Sequence, residues 1–143
     1  MSTTINRVHV LLPVLLALAS CASDKPSIVV PDTQPGDQLL NEYMVNEWCT
    51  NREETATANQ EAGHSGLLNV RPLYWRFVED GSWDISDSGF IFDRHGSWEL
   101  LGRNQLQLSP EGQSPITYEA RFQDANLFLI DTENQFLVLK ECE

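Results

Sequence analysis

Basic residues are scarce in this chain. It carries 9 Lys and Arg against 21 Asp and Glu, for a formal net charge of −12. A surface so short of cations cannot neutralise rows of phosphates, which argues against nucleic acid and against anionic headgroups held by a basic patch. It suits a basic protein partner, or simply a well-solvated surface. Cysteine is limited to three residues, with no Cys-x-x-C pair, so neither a zinc site nor a dithiol redox motif has support. No His-Glu-x-x-His, no Gly-x-Ser-x-Gly and no phosphate-cradling glycine loop occurs. His64 falls in a polar stretch and His95 in an expected turn beside Arg94, with no partner placed beside either. The chain therefore reads as no enzyme, with no cofactor and no metal. Long apolar runs are missing too. The longest, from Val8 to Ala19, is about a dozen residues and includes His9, whereas a helix across a bilayer core takes about 20.

That short run is nevertheless informative. It follows Arg7, the one charged side chain among the first twenty residues, and ends Leu18-Ala19-Ser20-Cys21. A basic residue, an apolar stretch and small residues in that order make a secretory signal peptide over 1–20. The four residues at its end resemble the bacterial lipobox. The resemblance implies cleavage before Cys21 and acylation of that cysteine with palmitate-like chains, a firm membrane anchor since two lipid signals already suffice. Residue 22 is Ala rather than Asp, which in lipoproteins of this kind implies the outer membrane, with the domain facing the periplasm. The plainer alternative is an ordinary signal peptide with an incidental cysteine.

Removing 20 of 143 residues leaves 123, the length of one domain, and loss of Arg7 moves the charge from −12 to −13. Residues 22–38 contain three prolines and Gly36 among small polar side chains, so 21–38 reads as the lipidated terminus and a flexible tether reaching up to about 55 Å. The domain is expected over 39–143. Its two cysteines, Cys49 and Cys142, lie in an oxidising compartment and should pair. The other possibility is two free, buried thiols.

A short helix or turn is expected near Leu39 and a first strand over Met44–Thr50. Residues 51–66 are polar. Thr50 and Glu53 fit a capping box, but no apolar stripe follows, so the segment reads as a long loop of the length that lids have. From Leu73 the pattern becomes short-period. Trp75 and Phe77 share a strand face and lead to the hairpin signal Asp80-Gly81; Trp83 and Ile85 share the next face. Ser88-Gly89 turns the chain into Phe90–Asp93, and Arg94-His95-Gly96 is expected to turn it again before Trp98 and Leu100. Ile116, Tyr118, Ala120 and Phe122 alternate strictly with Thr117, Glu119, Arg121 and Gln123, as in a sheet with one wet face. Gly81-Ser-Trp-Asp-Ile85 recurs as Gly96-Ser-Trp-Glu-Leu100, which suggests two strands entered through the same glycine turn.

Eight or nine such strands form a meander with raw edges, a liability that closure removes. A Cys49–Cys142 bond makes the first and last strands neighbours, since a disulfide holds Cα atoms about 4.4–6.8 Å apart. The expected fold is all-β: a small antiparallel up-and-down barrel of about eight strands. The Trp48 strand, the Trp75-x-Phe77-x-x-x-Gly81 hairpin, the Gly96-x-Trp98 strand and the Leu/Phe-rich terminal strands resemble the lipocalin-like barrels of bacterial envelope lipoproteins. Lipocalins carry Gly-x-Trp on the first strand, where this chain has Asn46-Glu47-Trp48.

The barrel's aromatic set is Trp48, Trp75, Phe77, Trp83, Trp98, Tyr118 and Phe122. These rings either fill a closed core or line an apolar pocket, because an eight-stranded barrel can do either. The acids around Asp84-Ile-Ser86-Asp-Ser88-Gly89 echo a calcium loop, but His95 stands where its closing Glu belongs. Composition and motifs thus point to a non-catalytic lipoprotein binding a hydrophobic small molecule or an envelope protein. The alternatives are an inhibitor of a basic hydrolase such as lysozyme, and an accessory subunit of an envelope complex. The Ser-Gly-x-x-Tyr loop that such inhibitors tend to carry is absent; Ser65-Gly66 leads into Leu-Leu-Asn.

Overall fold

A computed structural model describes residues 29–64, 70–89 and 94–143. The expected signal peptide, Cys21, and the expected strand Phe90–Asp93 lie outside these residues. Among the described residues, eight strands follow one another around a closed antiparallel barrel. They are β1 (Asn46–Thr50), β2 (Tyr74–Phe77), β3 (Ser82–Ser86), β4 (Arg94–Leu101), β5 (Gln105–Pro110), β6 (Ile116–Gln123), β7 (Asn126–Ile130) and β8 (Phe136–Glu141). Each pairs with its sequence neighbour, and β1 pairs with β8 through Trp48–Glu141, Cys49–Lys140 and Thr50–Leu139. The up-and-down barrel expected from the hairpin rhythm is the observed fold.

The disulfide sits at that seam. Cys49 and Cys142 are bonded, with Cα atoms 5.1 Å apart across 93 residues of chain. It joins the two ends of the meander sideways, so the last strand cannot peel from the first without breaking a covalent bond.

Alternation along the strands decides what lies inside. On β2 and β3 the buried apolar residues are Trp75, Phe77, Trp83 and Ile85, while Arg76 and Asp84 face out and pair at 2.6 Å. Trp48, Trp98, Leu106, Leu108, Ala120, Phe122, Leu127, Leu129 and Leu139 share the interior with them. One end of the barrel is plugged by the short helix α1 (Asn41–Met44): Met44 and Leu39 are fully buried, and the Tyr43 ring meets Phe122 edge-on at 6.1 Å.

Three sequence expectations are corrected. Residues 52–61 are not a loop but a ten-residue helix, α2 (Arg52–Glu61). Its cap is Asn51, whose side chain accepts from the Glu54 amide at 3.2 Å, not a Thr50–Glu53 box. An apolar stripe is indeed lacking; the buried positions are Thr55 and Asn59, one turn apart. They dock on the part of β8 that β1 does not reach. Thr55 Oγ1 accepts from the Val138 amide at 3.0 Å, Asn59 Oδ1 accepts from the Phe136 amide at 2.9 Å, and Asn59 Nδ2 donates to the Phe136 carbonyl at 2.7 Å. Two polar side chains thus stand in for the missing ladder bonds of an edge.

The second correction concerns Arg94-His95-Gly96, which belongs to β4 rather than to a turn. Gly81 is a true turn residue, with φ +84°. Gly96 has another role: a Cβ there would lie 2.2 Å from the Ser109 carbonyl oxygen and 2.8 Å from the Trp83 indole nitrogen. Glycine inside a strand here marks a close approach. The repeated Gly-Ser-Trp therefore places both tryptophans inward, but only its first copy is a turn.

The third correction concerns the tether. Thr33 exchanges two 2.8 Å bonds with the Phe122 backbone, and the Leu39 amide donates to the Arg103 carbonyl at 2.7 Å. Residues 33–39 therefore lie docked on the barrel, and the docked chain begins ahead of the boundary expected at 39.

Candidate functional site

The seven aromatic candidates divide into two groups, and the division follows their hydrogen bonds. A buried indole N–H left without an acceptor costs about 1–3 kcal/mol, so its partner shows whether a tryptophan is settled core. Trp48 donates to the Met44 carbonyl at 3.0 Å and Trp98 to the Val78 carbonyl at 2.9 Å. Trp48 also packs on Phe122, with centroids 5.9 Å apart, and Phe77 meets Trp98 edge-on at 5.7 Å. These four rings fill the half of the barrel nearer the α1 plug.

Trp75 and Trp83 differ. Their rings stack, with centroids 5.9 Å apart and planes 16° from parallel. Both are more than nine-tenths buried, at 7% and 4% exposure, and neither indole nitrogen has a partner among the described residues. They line a cavity of about 430 Å³ at the opposite end, where β2, β4 and β6 begin and β3 and β5 finish. Tyr118 shares the wall, so three of the seven candidates meet here and four do not.

Strand parity explains the remaining wall. Ile85 and Leu108 are inward positions of β3 and β5, and Ile116 and Tyr118 open the inward row of β6. Gly96, opposite both Trp83 and Pro110, lets the Trp83 indole nitrogen and the Pro110 backbone close in on the place a Cβ would take. His95, Pro110, Glu111 and Gln113 line the same cavity. Sequence reasoning did not single out Leu108 or Ile116 for this site, although the alternation on β5 and β6 carried that signal. Pro110, Glu111 and Gln113 carry no such alternation and gave no signal.

The electrostatics of this end are acidic. His95 extends from β4, with its two ring nitrogens 3.9 Å from Asp84 Oδ1 and from Glu111 Oε2. Burial, and secondarily the Asp131 carboxylate, pushes the Tyr118 phenol above its ordinary value of 10. His64, the other candidate histidine, meets the Asn134 carbonyl at 2.9 Å, far along the chain from this wall. Asp84 and Ser86, which echoed a calcium loop, are strand residues. Asp84 accepts two bonds from Arg76, and Ser86 Oγ accepts from the Ser88 and Gly89 amides. Among the described residues no cluster of three His, Cys, Asp or Glu could hold a metal ion.

A second groove, of about 1290 Å³, runs beside α1. Leu40 and Val45 stand exposed there, at 42% and 36%, and Glu42, Glu47, Glu79 and Glu141 border it.

Comparison of the chain with family models, curated proteins and solved structures gave no match.

Proposed function

We propose that this chain is a non-catalytic lipoprotein of the bacterial outer membrane, held by acylated Cys21 on the periplasmic side, whose barrel binds a small hydrophobic molecule in the Trp75–Trp83 cavity. One observation carries the binding part. In a barrel otherwise filled by side chains, this end leaves space within the range of small-molecule sites, floored by two stacked indoles with unused donors. The anchor and the address rest on Leu18-Ala19-Ser20-Cys21 and Ala22.

Native mass spectrometry of the full chain recovered from envelope membranes tests the reading. It should show a lipidated species carrying an additional small molecule. Cys21→Ser should abolish the acyl mass and release the chain from the membrane, leaving the bound molecule in place. A chain that retains membrane attachment as Cys21→Ser, or that never carries a molecule, overturns the corresponding half.

The groove beside α1 favours a second reading, a basic protein partner such as a hydrolase of the lysozyme type. Its two exposed apolar residues among four glutamates suit an apolar side chain flanked by lysine or arginine. Loss of lysozyme activity on mixing would support it, and full activity at saturating chain would remove it.

A further inference from the structure

The two orphan donors say more about the ligand than that it is apolar. Resting on the cavity reading above, we propose that the molecule taken there is flat, uncharged and carries a carbonyl-type oxygen that accepts from the indole N–H groups of Trp75 and Trp83.

The argument starts from satisfaction. Four tryptophans are buried in this chain, and the two away from the cavity both donate to backbone carbonyls. The two unsatisfied indoles are the pair that line it. Buried donors in native proteins nearly always find partners, so a pair without any among the described residues, both at one cavity, points to acceptors on a bound molecule. Both nitrogens are shielded from water. A ligand oxygen that reaches them meets donors with no hydration shell to strip.

Shape and charge narrow the class. The near-parallel stack and the apolar walls of Ile85, Leu108 and Ile116 suit a planar ring. A carboxylate or phosphate is disfavoured, because Glu111 lines the cavity and the chain bears −12. A neutral oxygen satisfies the donors without that repulsion.

Three probes of matched size separate the possibilities: coumarin, a neutral bicyclic lactone; naphthalene, which has no acceptor; and 2-naphthoate, an anion. They are titrated into the full chain bearing Cys21→Ser, so that no acyl chain competes. The indole N–H signals are followed by two-dimensional NMR and assigned with single Trp→Phe variants. Coumarin should bind roughly tenfold tighter than naphthalene, the worth of a hydrogen bond to a desolvated donor, and tighter than naphthoate. The Trp75 and Trp83 signals should move, while those of Trp48 and Trp98 stay. Equal binding of coumarin and naphthalene, or still Trp75 and Trp83 signals, overturns the acceptor inference and leaves the apolar cavity standing. Tighter binding of naphthoate overturns the uncharged class. Failure of all three removes the small-molecule reading itself.

Discussion

Single residues set the chemistry of the cavity end. Tyr118 is held in its protonated form chiefly by burial, with Asp131 adding repulsion against the phenolate. A phenol whose pKa is higher folded than unfolded stabilises the fold below its unfolded value, about 10, and that contribution is lost as pH rises through the higher folded value. Tyr118→Phe should therefore flatten the alkaline fall in melting temperature. An absorbance titration should lose one tyrosine that ionises above the ordinary value. A variant with an unchanged alkaline limb would show that Tyr118 is not so held. Ala125 is a different case. It follows Asp124 in the two-residue turn between β6 and β7, and both have positive φ, 50° and 60°. That is the conformation for which hairpins favour Asp-Gly. Ala125→Gly should stabilise the domain by about 0.5–1 kcal/mol, read from chemical denaturation.

At the level of elements, α2 shows why some structure was legible in the sequence and some was not. β6 was plain because its alternation separates apolar from polar, and Ala120 and Phe122 are buried as that pattern requires. The strand pairs around Gly81, with Trp83 and Ile85 inward, were plain for the same reason. In α2 the docking face is Thr55 and Asn59, which any hydrophobic stripe search counts as solvent-facing. Gly96 failed in another way: glycine serves turns and close approaches alike, and the Ser109 carbonyl and Trp83 indole that demand it come from other strands. Within the cavity, Trp75 and Trp83 were legible as inward aromatics. Their separation from Trp48 and Trp98 was not, since it depends on which backbone carbonyl each indole reaches. Asn59→Ala tests the helix docking. It strands both the amide and the carbonyl of Phe136, and should cost about 2–3 kcal/mol with faster hydrogen exchange along β8. A change within about 0.5 kcal/mol would show that α2 rests on the barrel without holding it.

For the molecule as a whole, closure depends on a short seam. β1 meets β8 through three residue pairs, and the rest of the β8 edge is met by Asn51, Thr55 and Asn59. The Cys49–Cys142 bond guards that seam. On the chain-entropy account a loop of 93 residues contributes about 4–5 kcal/mol. Cys49→Ser with Cys142→Ser should lower the denaturation midpoint accordingly, with β1 and β8 amides exchanging first. A midpoint close to that of the native chain would mean that the strand pairs and α2 close the barrel unaided.

The same bond turns most of the protein into a covalent ring. Every hairpin from β2 to β7, and the whole cavity wall, lies on the stretch between residues 49 and 142. A protease that nicks any one loop of that stretch opens the ring without freeing a fragment. The cut protein runs as a single species until reductant is added, and its two pieces remain tethered as partners for reassembly.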